Sequence, residues 1–316
     1  MTTLDRYRGA LLGLAAGDAL GTTLEFERPG SFVPLTDMVG GGPFNMKPGG
    51  WTDDTSMALC LAESLVTKKD FDPLHQLETY CRWWLDGHLS VKGYCFDIGN
   101  ATRGALARFK REPMPFCGDT SPNAAGNGSL MRLAPAPLAF AHDSAKAIFL
   151  AGESSRTTHA ADECVDACRY FAGLLLAAIH GMPKRELLNN DYEPPTKCFL
   201  ENPLTEKVAA IARGSFAVKE PPQIRGSGYV IHTLEAALWA FHGTDNFRAG
   251  ALKVVNLGED ADTTGAVYGQ IAGAYYGVEG IPSEWREKIA MCDLIEQRAT
   301  ELHAMGLGEP RPQGRG

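Results

Sequence analysis

Residues 4–21 read Leu-Asp-Arg-Tyr-Arg-Gly-Ala-Leu-Leu-Gly-Leu-Ala-Ala-Gly-Asp-Ala-Leu-Gly, with a glycine at every fourth position: Gly9, Gly13, Gly17 and Gly21. Apolar residues recur at helical spacing through the same stretch, which predicts a helix with one nearly bare face. The pattern returns late in the chain, where Gly265, Gly269, Gly273 and Gly277 form a second stripe. An interior glycine costs a helix about 1 kcal/mol against alanine, so these stripes require close backbone packing in return. In a bilayer such spacing serves helix dimerisation, but Asp18, Asp262 and Gln270 argue for burial in a soluble bundle. The two stretches are therefore expected to form a tightly packed central helix pair.

Working outward, helical periodicity predicts further helices over 56–67, 73–85, 100–110, 144–154, 160–180, 205–212, 229–242, 247–256 and 283–305. Strand-like alternation is scarce. The connections 39–50, 112–128, 189–203 and 220–228 are rich in Gly and Pro and are candidates for the rim of an active site. Of the 316 residues, 44% are hydrophobic and 22% charged, ordinary globular values, and one domain over residues 1–305 is expected. The segment 306–316 reads as a polar, frayed tail.

A net charge of −8 disfavours broad nucleic-acid binding but leaves room for one local anion pocket. The eight cysteines show no CxxC pair and read as reduced core thiols. Asp5, Arg6 and Arg8 precede a short apolar patch that Asp18 ends, which fits neither a signal peptide nor a membrane span. A cytoplasmic monomer with no membrane partner is expected.

Two acidic clusters, Thr52-Asp53-Asp54-Thr55 and Asp260-Ala261-Asp262-Thr263-Thr264, each stand just ahead of an apolar helical run. Adjacent carboxylates repel one another unless a hard cation such as Mg²⁺ or Mn²⁺ neutralises them. Hydroxyls at Thr52 and Thr263 complete an all-oxygen ligand set, and the absence of Cys and His from both clusters disfavours zinc. Helix capping is the alternative for either cluster alone. Two clusters of the same grammar point to a divided, binuclear metal site.

The motifs Gly17-Asp18-Ala19-Leu20-Gly21 with Glu25, Gly50-Trp51-Thr52-Asp53-Asp54-Thr55, Asp97-Ile98-Gly99-Asn100, Gly126-Asn127-Gly128-Ser129-Leu130-Met131-Arg132, Thr158-His159 and Asp260-Ala261-Asp262-Thr263 follow one another along the chain. In this order the sequence resembles the ADP-ribosylglycohydrolases, which include the bacterial dinitrogenase-reductase-activating glycohydrolases. The resemblance spans almost the whole chain. It implies an all-α fold, a compact orthogonal helical bundle with a binuclear metal site in a central cleft. It also implies hydrolysis of the N- or O-glycosidic bond between ADP-ribose and an acceptor, with two divalent cations, Mg²⁺ or Mn²⁺. Thr52, Asp53 and Asp54 would ligate one side of the pair, and Asp260, Asp262 and Thr263 the other.

The resemblance further gives Glu25 a catalytic role at the metal edge, against the alternative of an exposed glutamate paired with Arg28. Asp97 matches an aspartate implicated in proton transfer; the alternative is an N-cap for the helix beginning near Asn100. Asn100 is grouped with the substrate-binding residues. Gly126, Asn127, Gly128 and Ser129 offer unhindered amides and small polar side chains that suit a diphosphate, although a lone glycine-rich loop is also a common turn. His159 resembles a family histidine near the ligand phosphates. Tyr229, at a glycine-rich helix entry, is placed to stack on a base or ribose, or to anchor the core. The function expected is release of ADP-ribose from an ADP-ribosylated protein, with arginine favoured over serine, nucleic-acid or acyl acceptors. A non-catalytic ADP-ribose-binding protein and a binuclear phosphatase are the readings from other classes.

Overall fold

The computed structural model describes residues 1–190 and 192–308, and no strand forms among them. In chain order the α-helices are α1 (Thr3–Gly21), α2 (Asp53–Lys68), α3 (Pro73–Asp86), α4 (Asn100–Arg111), α5 (Pro135–Ala139), α6 (Ser144–Arg156), α7 (Asp162–Ile179), α8 (Lys184–Leu187), α9 (Cys198–Glu201), α10 (Glu206–Ala212), α11 (Val230–His242), α12 (Phe247–Val255), α13 (Ala261–Tyr276), α14 (Ser283–Arg286) and α15 (Cys292–Gly306).

Helices α1 and α13 run antiparallel and touch along their whole length. Gly9 faces Gly273, Gly13 faces Gly269, and Gly17 faces Gly265. A methyl group built on any of these glycines would land on the carbonyl of its partner, so only hydrogen fits. The glycine penalty is thus offset by backbone contact, as the spacing requires. The fourth pair differs from the expected stripe: Gly21 meets Ala261, while Gly277 ends α13 with φ of 72°. Gly277 is the residue that lets the chain leave the helix in a left-handed conformation.

The remaining long helices wrap this pair. Helices α11 and α12 flank α13, α15 lies along α1, and α7 packs against α13 and α6. Trp51, Trp83 and Trp285 are fully buried. All eight cysteines are free, and no helix of the described residues is long and apolar enough to cross a membrane.

The helix expected over 283–305 is two helices. The break reflects tertiary contact rather than propensity: Met291 adopts φ of 55°, Ala290 N–H donates to the Gly49 carbonyl at 3.0 Å, and Trp285 Nε1 donates to Asp37 at 2.6 Å. These bonds dock the segment on the loop that leads to Thr52. At the C-terminal end, Gly306 is buried against Tyr7 and Leu138 and completes α15. Of the rest of the expected tail, Leu307 and Gly308 form a turn, and residues 309–316 lie outside the described residues.

Candidate active site

The N-termini of α2, α4 and α13 converge on a cleft of about 390 Å³ beside the glycine-paired helices. Its lining includes Glu25, Asp53, Asp97, Asn100, Gly126, Asn127, Gly128, His159, Asp260, Asp262 and Thr263. The positive ends of three helix dipoles therefore face a pocket walled by carboxylates. No lysine or arginine lines it.

Helix capping does not explain the acidic clusters. Thr52 and Asp260 stand at the N-cap positions of α2 and α13, yet neither side chain makes a capping bond. The free amides of α2 are taken instead by Asp18, a residue of the Gly17–Gly21 motif to which the sequence assigns no role at the site. Thr52 N–H donates to Asp18 Oδ1 at 2.8 Å and Thr55 N–H to Oδ2 at 3.0 Å, with the Thr55 hydroxyl adding a bond of 2.6 Å. A charged residue on an otherwise apolar and glycine-bare helix face was the signal available.

Two groups of three carboxylates overlap here: Asp18, Asp54 and Asp262, and Glu25, Asp97 and Asp262. Within each, the candidate ligand oxygens lie within 4.8 Å of one another, and Asp262 belongs to both. The Thr52 hydroxyl lies 3.0 Å from Asp18 Oδ1, 3.0 Å from Asp54 Oδ2 and 3.3 Å from Asp262 Oδ2. One hydroxyl proton cannot serve three acceptors. Glu25 Oε2, Asp54 Oδ1 and Asp262 Oδ1 are buried with no hydrogen-bond partner. Unpaired oxygens of one sign, without a cationic side chain, fit a hard divalent cation.

Burial first, and then mutual repulsion, raise these carboxyls. Glu25 is pushed up to about 10 by burial and by the charges of Asp97, Asp260 and Asp54. Burial, with Asp260 and Asp18, takes Asp97 to about 7. Asp18 rises to about 6 through burial, opposed by its bonds to Thr55 and Thr52. Asp53, Asp54 and Asp262 lie well above the usual range for the same reasons, and Asp260 is raised by burial. A carboxyl whose folded value exceeds its unfolded one contributes stability below the unfolded value and loses it as pH rises through the folded one. His159 acts oppositely: burial lowers it to about 3, so stability falls as pH drops from about 6.5 towards 3. With seven raised carboxyls against one lowered histidine, chelated protein should therefore have its highest Tm at about pH 4 and lose stability steadily towards pH 9. Saturating Mg²⁺ or Mn²⁺ should raise Tm by about 5 °C or more at pH 8 and by less at pH 5. Scanning fluorimetry across pH checks this, and a cation-independent Tm at pH 8 would contradict it.

Glu25 is only 3% exposed and does not pair with Arg28. Asp97 is no N-cap, because Gly99 holds that position in α4. Both Asp97 (φ 54°) and Phe26 (φ 65°), which follows Glu25, have left-handed backbones, and Phe26 N–H donates to the Glu259 carbonyl at 2.6 Å. Such strain collects where a fold holds functional groups.

On the far wall, Asn127 Nδ2 donates to Asp260 Oδ2 at 2.6 Å and to the Thr233 hydroxyl at 2.8 Å, tying the glycine-rich loop to the acidic wall. Gly128 leaves room for His159, whose ring a Cβ there would meet at 2.8 Å. Ser129 departs from expectation: its side chain turns inward to Ser155 (2.8 Å) and Cys168 (3.5 Å) and does not line the cleft. Tyr229 is half-buried at the rim, in an adjoining hollow with Gly126, Gly228 and Lys207. Its hydroxyl bonds Glu163 at 2.5 Å and accepts from Lys207 at 2.7 Å. Of the four connections expected at the rim, 112–128 and 220–228 reach this cleft, whereas residues of 189–203 line a separate cavity.

A family model described as ADP-ribosylglycohydrolase matches residues 1–311. The chain belongs to the ADP-ribosylglycohydrolase family. Among its relatives in that family, the ADP-ribosylarginine hydrolase Tri1 of Pseudomonas putida is 46% identical over 95% of this chain and 78% of its own. The protein of the same name from Serratia proteamaculans is 43% identical, covering 96% and 80%. The ADP-ribosyl-[dinitrogen reductase] glycohydrolase of Rhodospirillum rubrum is 34% identical over 91% of each chain. A solved structure of an ADP-ribosylglycohydrolase-related protein complex superposes with a TM-score of 0.84 at 43% identity, covering 96% of this chain and 99% of that one.

Proposed function

We propose that this ADP-ribosylglycohydrolase releases ADP-ribose from the guanidinium nitrogen of a modified arginine in a protein. The observation that carries this reading is the cleft itself, in which overlapping carboxylate triads with orphaned oxygens face a glycine-rich loop and a neutral histidine. Relatives named as ADP-ribosylarginine hydrolases, at 46% and 43% identity, support arginine as the acceptor. The site residues follow in this proposal as the sequence reading had them, with Asp18 added to brace Thr52.

Thr52, Asp53 and Asp54 would hold one side of a pair of Mg²⁺ or Mn²⁺ ions and Asp260, Asp262 and Thr263 the other. Bound there, the ions supply positive charge that neutralises the wall and orients ribose hydroxyls. Gly126, Asn127, Gly128 and the Ser129 amide receive the diphosphate with His159, while Asn100 and Tyr229 bound the nucleoside end. Cleavage develops positive charge at the anomeric carbon, which the surrounding carboxylates stabilise. Glu25 and Asp97 are the proton-exchanging pair: their carboxyls approach each other, and burial and repulsion set them at different strengths.

Glu25→Gln is expected to bind ADP-ribose as the wild type does and to turn over on the order of 100-fold more slowly. Single-turnover kinetics beside a binding isotherm separates the two effects, and undiminished turnover would remove Glu25 from the chemistry. The activity itself is tested by free ADP-ribose released from ADP-ribosyl-arginine and ADP-ribosyl-serine peptides with Mg²⁺, with Mn²⁺ and with chelator. Cation-dependent release from the arginine peptide is the expected result. Release from the serine peptide alone would change the acceptor, and silence on both with ADP-ribose still bound would make the protein a binding module.

A further inference from the structure

Behind the glycine-rich loop lies Arg132, 1% exposed, a buried cation with no carboxylate in ion-pair reach among the described residues. Its guanidinium stands 4.6 Å from the Tyr80 ring. Nη1 donates to the Gly128 carbonyl at 2.6 Å and contacts Met57 Sδ at 3.6 Å, and Nη2 donates to the Thr158 hydroxyl at 2.5 Å. Burying a guanidinium without an anion is expensive, and a carbonyl plus a hydroxyl do not neutralise it. The two bonds, however, each fix the direction of a donor one step further on.

The first acts through a peptide plane. In a trans peptide the C=O of one residue and the N–H of the next point to opposite sides. Drawing the Gly128 carbonyl inward to Arg132 therefore turns the Ser129 N–H outward, to the side on which Gly128 lines the cleft. That amide donates to no backbone carbonyl of the described residues. The second acts through a hydroxyl. Thr158 Oγ1 accepts from Arg132 Nη2 and lies 2.8 Å from His159 Nδ1, so among the described residues the only acceptor in reach of its own proton is Nδ1. An accepting Nδ1 leaves the ring hydrogen on Nε2, the nitrogen that faces Gly126 and Gly128. Burial and the positive charge of Arg132 keep the ring neutral, so this tautomer persists.

We propose that Arg132 is the positioning residue of the diphosphate subsite: it aims the Ser129 amide and His159 Nε2–H at one phosphoryl group and sets an uncompensated positive charge behind them. The inference rests on the proposed assignment of the glycine-rich loop to the diphosphate. It accounts for a Ser129 whose side chain turns inward, since the backbone amide is the part that serves the ligand.

The test uses Arg132→Met, Arg132→Lys and Thr158→Val, with ADP-ribose binding by calorimetry and ¹⁵N chemical shifts of the His159 ring, assigned by its loss in His159→Gln. Wild type should show the Nε2–H tautomer, neutral down to pH 5. Arg132→Met should weaken ADP-ribose binding roughly 10- to 100-fold and raise KM for ADP-ribosyl-arginine more than it lowers kcat. Adenosine, which lacks phosphate, should lose no affinity. Arg132→Lys should recover part of the loss. Thr158→Val, which keeps the arginine, should shift the ring nitrogens towards mixed tautomers, and it decides the matter if Arg132→Met does not fold. Wild type binding ADP-ribose with both variants binding equally well, or an unchanged His159 signature in Thr158→Val, overturns this inference alone. Wild type failing to bind ADP-ribose overturns the proposed function together with it.

Discussion

Asp262→Ala is expected to lower turnover of ADP-ribosyl-arginine by about 10³-fold or more and, in the presence of chelator at pH 8, to melt higher than the wild type. The two effects have one cause. Asp262 is the carboxylate common to both triads, and its Oδ1 is buried without a partner. Removing it takes away the carboxylate common to both triads and one of the buried charges that oppose one another across the cleft. Burial and the neighbouring charges of Glu25, Asp54, Asp260 and Asp97 already raise its own carboxyl. A side chain kept at a cost to the free protein is the mark of a functional site. The measurement is a Tm series with and without Mn²⁺ beside steady-state rates. Wild-type turnover, or a variant that still melts higher on adding Mn²⁺ by the full wild-type increment, would remove Asp262 from the cation site. Asp54→Ala should behave alike, since Asp54 shares the orphaned geometry.

The sequence displays the acidic clusters because both sit where a helix begins, and local grammar announces helix starts. It conceals Asp18 because the amides that Asp18 holds belong to Thr52 and Thr55, brought to it only by the fold. The same limit hides Arg132, whose partners Gly128 and Thr158 lie on different loops. Ser129 was misread in detail for a related reason: composition gives a loop its polar atoms, while side-chain direction depends on Ser155 and Cys168 behind it. Residues 283–305 carry unbroken helical periodicity, and only the docking of Ala290 on Gly49 shows why the chain turns at Met291. The central helix pair, by contrast, is legible over its three facing glycine pairs, since a glycine in a helix is a local penalty whose compensation has to be a neighbour.

That compensation sets the last expectation. Gly269→Ala should destabilise the protein by about 3 kcal/mol or more, a Tm loss of about 6 °C or more, although alanine is the better helix former. The added methyl meets the Gly13 carbonyl of α1, which is backbone and cannot rotate aside. Gly104→Ala in α4 is the matched control: its methyl would meet only the flexible end of Arg108 at 3.5 Å, so it should gain up to about 1 kcal/mol. A Tm for Gly269→Ala within a degree of wild type would refute the carbonyl-contact account of the stripe. The effect should also grade along the pair. Gly17 and Gly265 adjoin the end that carries Asp18 and Asp262, whereas Gly9 and Gly273 lie at the other end. Alanine at Gly9 should cost stability while leaving the cation-induced Tm increment intact. Alanine at Gly17 should cost stability and reduce that increment too, because wedging the helices apart there separates carboxylates that one cation must reach together.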